Sequence, residues 1–302
     1  MGVNRNIKIL LRALVLSVLA LCANVFADGF LDTPSLRESH DAGLQRAIEA
    51  RINQMGLREA VNDKKLCLAL VDISDPLEPR VADLNGDHMM YAASLPKIGI
   101  LLGAFVEIER GRIDLDEETY DSLSRMIRHS SNDDATDLLN RVGKFKVNRI
   151  LKSERFRLYD PLVNGGIWVG KEYAKGVAFQ RDPLHNLSHG ATAMQAARFY
   201  YLLESGQLVN KRLSREMKKI LANPGISHKF VKGLEHLDDV KIYRKSGTWR
   251  NWHADSAIVE QDNNRYILVA LAESPDGGEW LENIASSFHS IIAPTKYAAA
   301  TR

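Results

Sequence analysis

The sequence predicts an α/β fold of the α+β type, in which one antiparallel sheet is flanked by terminal helices and a helical lobe is inserted between its strands. Apolar segments typical of strands lie near both ends of the chain, at residues 66–84 and 237–273. Helical periodicity dominates residues 96–221 between them. Strands from the two ends can pair only if the chain returns on itself, so we expect them to share one sheet.

The first elements alternate between helix and strand. Residues 34–55 carry apolar side chains at helical spacing and stop before Gly56, which predicts a helix. Residues 66–73 form a continuous apolar run and are predicted to be a buried strand. Residues 80–84 predict a second strand that ends in an Asn-Gly-Asp turn. Cys67 lies in the first strand and is expected to be a buried apolar residue rather than a nucleophile.

The middle of the chain is predicted to be largely helical. Helices are expected at residues 96–110, 114–128, 133–141, 144–153, 192–204 and 213–221. Residues 156–190 are glycine-rich and irregular, and such a long loop inside a compact domain usually has a function. The chain then returns to strands and closes with a helix, at residues 237–244, 255–260, 265–273 and 280–292.

The N-terminus has the pattern of a secretory signal peptide. Arg5, Lys8 and Arg12 precede an apolar run at residues 13–23, and a small residue, Ala27, marks the expected cleavage site. The run is short for a membrane span, although retention as an uncleaved anchor is the alternative. Cleavage near Ala27 would place the mature protein in the periplasm if the source is bacterial.

The composition is that of an ordinary globular protein. Of the 302 residues, 45% are hydrophobic and 26% are charged, which suits one large core or two closely packed lobes. Residues 28–302 are predicted to be one domain, with a sheet lobe at about 28–93 and 235–302 and a helical lobe at about 94–234. A cleft between the lobes is the expected place for a site. The net charge of +2, which becomes −1 without the signal peptide, argues against a nucleic-acid partner.

A serine and a lysine three residues apart mark the start of a predicted helix. They lie in Ser94-Leu-Pro-Lys97, and positions i and i+3 share one face of a helix. A serine hydroxyl is a weak nucleophile and needs a neighbouring base. Lys97 can serve as that base only if burial or nearby cations lower its pKa. An exposed helix start is the alternative interpretation, but the chain contains no other Ser-x-x-Lys.

A second motif, Ser130-Ser-Asn132, precedes another predicted helix. It supplies a hydroxyl and an amide, although both residue types are also common helix caps. The motif can also be read one residue later, as Ser131-Asn-Asp133. We prefer the first reading because it keeps Asn132 as an amide donor in a polar site.

A third motif, Lys245-Ser246-Gly247-Thr248, lies near the end of a predicted strand. A lysine and a hydroxyl on an edge strand suit an anionic substrate, and Gly247 lets a ligand approach the backbone closely. A strand that simply ends in a turn has a similar composition.

The three motifs together carry a family resemblance. Ser-x-x-Lys, Ser-x-Asn and Lys-[Ser/Thr]-Gly, in this order, are the motifs of class A β-lactamases and penicillin-binding proteins. The chain resembles the serine β-lactamase and D,D-peptidase superfamily over residues 35–295, and its class A β-lactamase-like branch most closely. The resemblance implies a β-lactamase/transpeptidase-like fold and a periplasmic enzyme that uses no cofactor.

The resemblance also implies catalytic roles. Ser94 would be the acylated nucleophile, Lys97 would help to deprotonate it, and Ser130 would relay a proton to the leaving nitrogen. Lys245 would hold Ser130 electrostatically. The two lysines near one serine would lower each other's pKa by like-charge repulsion.

The remaining motif residues would bind the substrate. Asn132 would hydrogen-bond its amide side chain, and Ser246 would bind its carboxylate together with Lys245. The backbone N–H groups of Ser94 and Thr248 would form the oxyanion hole, with Gly247 allowing the close approach.

The sequence departs from class A where the acyl group would be removed. Class A enzymes activate the hydrolytic water with the glutamate of a Glu-x-x-Leu-Asn motif, which residues 156–190 lack. Asp160, Asp182 and Glu172 are the candidates for this base, although each is also explained as a turn former or a surface charge. Ser131 also replaces the acid usual at the centre of the second motif. Without a base the acyl-enzyme would turn over slowly.

Three functions therefore stay open: β-lactam hydrolysis, D,D-carboxypeptidase or endopeptidase activity on peptidoglycan peptides, and non-catalytic binding on the same fold. We expect a monomer without a membrane span after signal cleavage, acting on a small-molecule β-lactam or a peptidoglycan peptide.

His185 and His189 have i, i+4 spacing but lack the His-Glu-x-x-His pattern, so no metal site is predicted.

Overall fold

The computed structural model describes residues 34–294, and the predicted signal peptide lies outside this range. The strands within it are β1 (Leu66–Asp72), β2 (Arg80–Leu84), β3 (Met90–Tyr91), β4 (Tyr159–Asp160), β5 (Gly165–Gly166), β6 (Trp168–Val169), β7 (His189–Ala191), β8 (Lys241–Trp249), β9 (Trp252–Gln261) and β10 (Asn264–Glu273). The helices are α1 (Ala42–Gln54), α2 (Arg58–Asn62), α3 (Lys97–Glu109), α4 (Glu117–Arg128), α5 (Asn132–Val142), α6 (Lys144–Leu151), α7 (Ala193–Glu204), α8 (Lys211–Leu221), α9 (Phe230–Leu234) and α10 (Gly277–Ile292).

Strands from the two ends of the chain form one antiparallel sheet, which confirms the predicted fold class. Its order is β2-β1-β10-β9-β8. The N-terminal strand β1 pairs with the C-terminal strand β10 from Leu66↔Ala272 to Asp72↔Tyr266. Because β8 lies at one edge, its second side is free to face the helical part of the chain.

Both faces of the sheet are covered, which explains why β1 is apolar at almost every position. Its alternate residues Leu66, Leu68 and Leu70 pack with the terminal helices α1 and α10. The residues between them pack with α3 and α7 on the opposite face. Cys67 is one of these, and burial raises its pKa to about 12, which confirms the prediction of an unreactive core cysteine.

Several predicted segments differ in the structure, among them the strand predicted at residues 237–244, which is β8 at Lys241–Trp249. The helix predicted from residue 34 begins at Ala42, because the Asp41 carboxylate accepts a hydrogen bond from Leu44 N at 2.6 Å and caps it there. Residues 156–190 are not wholly irregular, since they contain β4, β5, β6 and the start of β7. These strands are two or three residues long, which is too short to leave a periodic signal in the sequence.

Two of the three motifs precede helices, and the third lies within the edge strand β8. Ser94 is in the turn before α3, Ser130 is in the turn before α5, and Lys245 is on β8. Within residues 34–294, none of the helices has the length and apolar character that a membrane span requires.

A buried ion pair holds β8 in place from behind. The Arg244 guanidinium donates to the Asp255 carboxylate of β9, with Nη2 and Oδ2 2.7 Å apart, and both side chains are almost fully buried. Arg244 also donates to the backbone carbonyls of Ile226 and His228 at 2.8 and 3.0 Å. The pair therefore joins two strands to the segment that precedes α9.

Removal of the Asp255 carboxylate is expected to destabilise the fold strongly. Asp255→Ala would leave Arg244 buried without a counter-ion, at a cost of about 3–5 kcal/mol in the free energy of unfolding. Asp87→Ala is the matched control, because the Asp87–Arg37 pair has side chains 42% and 39% exposed and should be worth less than about 1 kcal/mol. Urea unfolding of both variants measures the difference, and equal losses would contradict this account.

Candidate active site

Ser94 lies in a sharp turn between β3 and α3. The preceding residue, Ala93, has φ +48°, a conformation that non-glycine residues rarely adopt. The backbone N–H of Lys97 donates to the Ser94 carbonyl at 3.2 Å, so the two residues are one helical turn apart. Ser94 is partly exposed, whereas Ala93 and Leu95 beside it are buried. The turn therefore presents the serine to solvent on a fixed backbone.

Lys97 is fully buried, and its amine contacts the second motif. Lys97 Nζ donates to the carbonyls of Ser130 and Ser131 at 2.6 and 3.1 Å and to Asn132 Oδ1 at 2.8 Å. The Tyr173 ring covers the same amine, with Nζ 4.5 Å from the ring centroid. Burial lowers the pKa of Lys97 to about 7, and the Asp134 carboxylate raises it. A large fraction of Lys97 is therefore neutral near pH 7.

The Ser130 hydroxyl lies between two lysine amines. Ser130 Oγ is 3.4 Å from Lys97 Nζ and 3.0 Å from Lys245 Nζ. Ser130 has φ +58°, which turns its hydroxyl and its carbonyl into the site. Ser131 has a different position, because its Oγ accepts from Asp134 N at 3.2 Å and caps α5. Of the two serine hydroxyls, that of Ser130 is therefore the one that contacts both lysine amines.

Lys245 is buried on β8 and makes a second contact with its own strand. Its Nζ donates to the Ser246 carbonyl at 2.7 Å, in addition to the Ser130 hydroxyl. The pKa of Lys245 is well below the usual value, because of burial first and then of the Lys97 and Arg244 charges. The sequence predicts that each lysine lowers the pKa of the other, and the Lys97 charge does lower the pKa of Lys245. Burial is the largest cause of the lowered pKa for both lysines.

Gly247 allows β8 to approach the turn that contains Ser94. A Cβ atom at this position would lie 2.3 Å from the Ala92 carbonyl oxygen and 2.7 Å from Ser94 N. Only glycine fits so close to the backbone before Ser94. The next residue, Thr248, lines a cleft of 740 Å³ together with Ser94 and Asn132. Three of the predicted motif residues therefore open onto one cavity.

The rest of this cleft is aromatic and basic. It is lined in addition by Tyr91, Ala93, Lys171, Glu172, Tyr173, Ala174, Lys175, Ser188, His189, Trp249 and Trp252. Tyr173 stacks on His189 with ring centroids 4.3 Å apart and covers Lys97. Tyr173 could not be predicted from the sequence as a site residue, because it lies in the segment that lacks a periodic pattern.

Of the three carboxylates considered for deacylation, Glu172 alone lines the cleft. It is held by Lys144 Nζ at 2.6 Å and Asn140 Nδ2 at 3.3 Å. Asp160 is paired with Arg157 at 2.7 Å outside this cleft. Asp182 is buried and accepts hydrogen bonds from the Tyr159 hydroxyl and from His185 N, so it orders a turn.

The two histidines at i, i+4 spacing do not share a metal site. His189 Nε2 is 3.0 Å from the Lys171 carbonyl, and burial lowers the pKa of His189 to about 4. His185 Nε2 instead lies 3.3 Å from the Asn164 carbonyl. Among the described residues, no group of three His, Cys, Asp or Glu side chains has the geometry of a metal site.

Solved structures share this architecture at low sequence identity. PBP-A has a TM-score of 0.64 and 16% identity over 86% of this chain and 98% of its own. A β-lactamase from Sphaerobacter thermophilus DSM 20745 has a TM-score of 0.64 and 14% identity over 83% and 98%. A representative of class A β-lactamase from Bacteroides cellulosilyticus DSM 14838 has a TM-score of 0.62 and 16% identity over 82% and 97%. At such identities the likeness shows the fold.

The sequence itself matches a family profile, although a comparison with curated proteins finds no significant match. Residues 47–122 and 119–293 match the profile described as the β-lactamase enzyme family. This match covers most of the chain and includes all three motifs. The chain belongs to the β-lactamase enzyme family.

Proposed function

We propose that the protein is a periplasmic serine hydrolase that opens the amide bond of a β-lactam by acylating Ser94. The observation that carries this proposal is the Ser130 hydroxyl, which lies 3.0 Å from Lys245 Nζ and 3.4 Å from Lys97 Nζ. Buried amines with lowered pKa values are the groups that can activate a serine and move its proton. Membership of the β-lactamase enzyme family supports this assignment.

Acylation would begin with the neutral amine of Lys97. It would accept the Ser94 hydroxyl proton as Oγ attacks the carbonyl carbon of the lactam. The N–H groups of Ser94 and Thr248 would stabilise the oxyanion, and one such donor typically contributes about 3 kcal/mol. Ser130 would then pass a proton to the ring nitrogen as the C–N bond breaks, and it would be reprotonated from the lysine pair.

Substrate binding would use the remaining polar groups along β8 and α5. Lys245 and Ser246 would meet the substrate carboxylate, since the Lys245 amine lies at the Ser130 hydroxyl and Ser246 carries a hydroxyl beside it on β8. Asn132 would bind the amide of the acyl side chain, because its Oδ1 is already oriented by Lys97 at 2.8 Å. The aromatic side chains of the cleft would pack against apolar parts of the substrate.

Removal of the acyl group is expected to be slow. The Asp134 carboxylate acts electrostatically on Lys97, but it is already paired with Arg125, whose Nη2 lies 2.7 Å from Asp134 Oδ1. Glu172 lines the cleft but is neutralised by Lys144. A water behind the acyl group would therefore lack a free carboxylate base beside Lys97. A variant of the structurally similar PBP-A has been solved as an acyl-enzyme complex with penicillin G.

The lack of a free carboxylate base beside Lys97 favours a second candidate function. A D,D-carboxypeptidase or endopeptidase acting on peptidoglycan peptides uses the same acylation chemistry and is acylated persistently by penicillins. The release of D-alanine from a peptide ending in D-Ala-D-Ala distinguishes it from a β-lactamase. A non-catalytic binding module on the same fold would form no acyl-enzyme with either substrate.

The first prediction concerns the nucleophile. Incubation of the mature chain with penicillin G is expected to give a stoichiometric mass increase equal to the mass of the whole drug. The reason is that the leaving nitrogen of an opened β-lactam ring stays covalently linked to the acyl group on the serine. Ser94→Ala should abolish the adduct. Intact-protein mass spectrometry measures it, and turnover of a chromogenic cephalosporin gives the rate of release. An adduct that persists in Ser94→Ala would refute the proposal. So would the unsubstituted protein if it showed neither an adduct nor turnover of the cephalosporin above the Ser94→Ala level.

The second prediction separates the two readings of the middle motif. Ser130→Ala removes the hydroxyl between the lysines and should lower the acylation rate constant by about 10²–10⁴-fold. Ser131→Ala removes a helix cap, which should lower the free energy of unfolding by about 1 kcal/mol. Its acylation rate constant should stay within about threefold of that of the unsubstituted protein. Stopped-flow acylation and thermal unfolding of both variants test this. The opposite ranking would place the motif at Ser131.

The third prediction concerns pH. Burial lowers the pKa of Lys97 to about 7, so the amine is a base above this pH and an ammonium below it. Acylation by a substrate that does not titrate in this range should therefore fall about tenfold per pH unit well below pH 7. Stopped-flow rates between pH 5 and 8 give the profile. A rate that is flat across this range would contradict the role of Lys97.

A further inference from the structure

Lys229 is a buried lysine that the acylation scheme leaves without a role. It lies in the segment before α9, behind the edge strand β8, and is 3% exposed. Its backbone has φ +51° and ψ −118°, a combination that side chains with a Cβ atom rarely adopt. Strained residues of this kind cluster at functional sites and persist where the surrounding structure fixes them.

The Lys229 ammonium donates three hydrogen bonds, and all of them go to neutral acceptors. Nζ is 2.6 Å from the Gly247 carbonyl oxygen, 2.8 Å from Thr248 Oγ1 and 3.1 Å from the Ala254 carbonyl oxygen. The nearby carboxylate of Asp255 is bound by Arg244 instead. A buried cation without a bonded counter-ion is costly, so its retention behind the third motif calls for a function.

The peptide group that Lys229 contacts is the one that faces the nucleophile. A trans peptide is planar, so the Gly247 carbonyl and the Thr248 N–H point in opposite directions. Since the carbonyl is directed at the ammonium, the N–H is directed away from it. The opposite side is the cleft, where Thr248 and Ser94 are both lining residues. Gly247 also lies directly against Ser94 N.

A charge-assisted hydrogen bond on the carbonyl side strengthens the donor on the other side. The ammonium draws electron density towards the oxygen, and hydrogen bonds in a chain polarise one another. The contact with Thr248 Oγ1 fixes the side chain of the same residue. The position and the donor strength of the Thr248 N–H therefore both depend on Lys229.

We propose that Lys229 is a positioning residue, whose ammonium fixes and polarises the Gly247–Thr248 peptide so that its N–H stabilises the oxyanion formed during acylation of Ser94. The inference rests on the proposed function, since it assumes an acyl-transfer reaction in this cleft. It adds a group that does not touch the substrate. It also explains why the cation lies behind β8 rather than in the cavity.

Lys229→Met tests the inference, because methionine fills a similar volume without charge or N–H donors. An oxyanion hole acts on the transition state, so the acylation rate constant with penicillin G should fall about 10–100-fold, whereas the dissociation constant of the non-covalent complex should stay within about threefold. Lys229→Arg keeps the charge and should retain most of the rate. Lys232→Met is the matched control, because this neighbouring lysine is exposed and pairs with Glu282.

The affinity of a boronic acid provides a second measurement, which distinguishes loss of the oxyanion hole from a general loss of structure. Its tetrahedral adduct on Ser94 places an oxygen where the oxyanion forms. Its affinity for Lys229→Met should therefore fall by the same factor as the acylation rate constant. Both values are calculated from the concentration of folded protein. Acylation within threefold of the unsubstituted protein, or a loss confined to the dissociation constant, would overturn the inference. Absence of acylation in the unsubstituted protein would instead refute the proposed function.

An experiment on the unsubstituted protein covers the case in which Lys229→Met does not fold. Burial lowers the pKa of Lys229 to about 8, so the ammonium is lost as the pH rises through that value. The amide proton resonance of Thr248 should move upfield with the same midpoint as the Lys229 Cε resonance. The charged and titratable groups that face Lys229 are His228 on its own segment, Arg244 and Lys245 on β8, and His253 and Asp255 on β9. A Thr248 resonance that follows another midpoint, or none, would overturn the inference.

Discussion

Two buried lysines around one serine hydroxyl are the constraint on which the rest of the site depends. Lys97 is 0% exposed and Lys245 is 1% exposed, and both reach Ser130 Oγ. Neither contacts a carboxylate in the described part of the chain. The protein instead satisfies Lys97 with the carbonyls of Ser130 and Ser131 and the amide oxygen of Asn132. Neutral acceptors solvate the amine without restoring its usual pKa, which leaves a base available near pH 7.

The backbone around the site is shaped to make this arrangement possible. Ala93 and Ser130 have φ values of +48° and +58°, and each directs its segment towards the edge strand β8. That strand is fixed from behind by the buried Arg244–Asp255 pair. The site thus combines strained turns on one side with a rigid strand on the other, so its geometry is set before a substrate arrives.

Much of this could be predicted from sequence, because the signals are local. The apolar run of β1 and the separation of strands between the chain ends specified the sheet. The three motifs named Lys97, Ser130 and Lys245, whose polar groups are in contact, and also Ser94, Asn132 and Thr248, which line one cleft. The position of Lys229 behind β8 could not be predicted, since it depends on contacts between segments that are separate in the sequence. The short strands in residues 156–190 and the placement of Glu172 also arise from tertiary packing and leave no periodic pattern.

The central claim is that burial makes Lys97 a base near neutral pH, and its titration tests this most directly. The Cε resonance of Lys97 can be followed by NMR in protein with ¹³C-labelled lysine and assigned by its absence in Lys97→Arg. The account predicts a midpoint at a pH of about 7. A midpoint at the ordinary lysine value of about 10.4 would mean a permanent ammonium and would contradict the account.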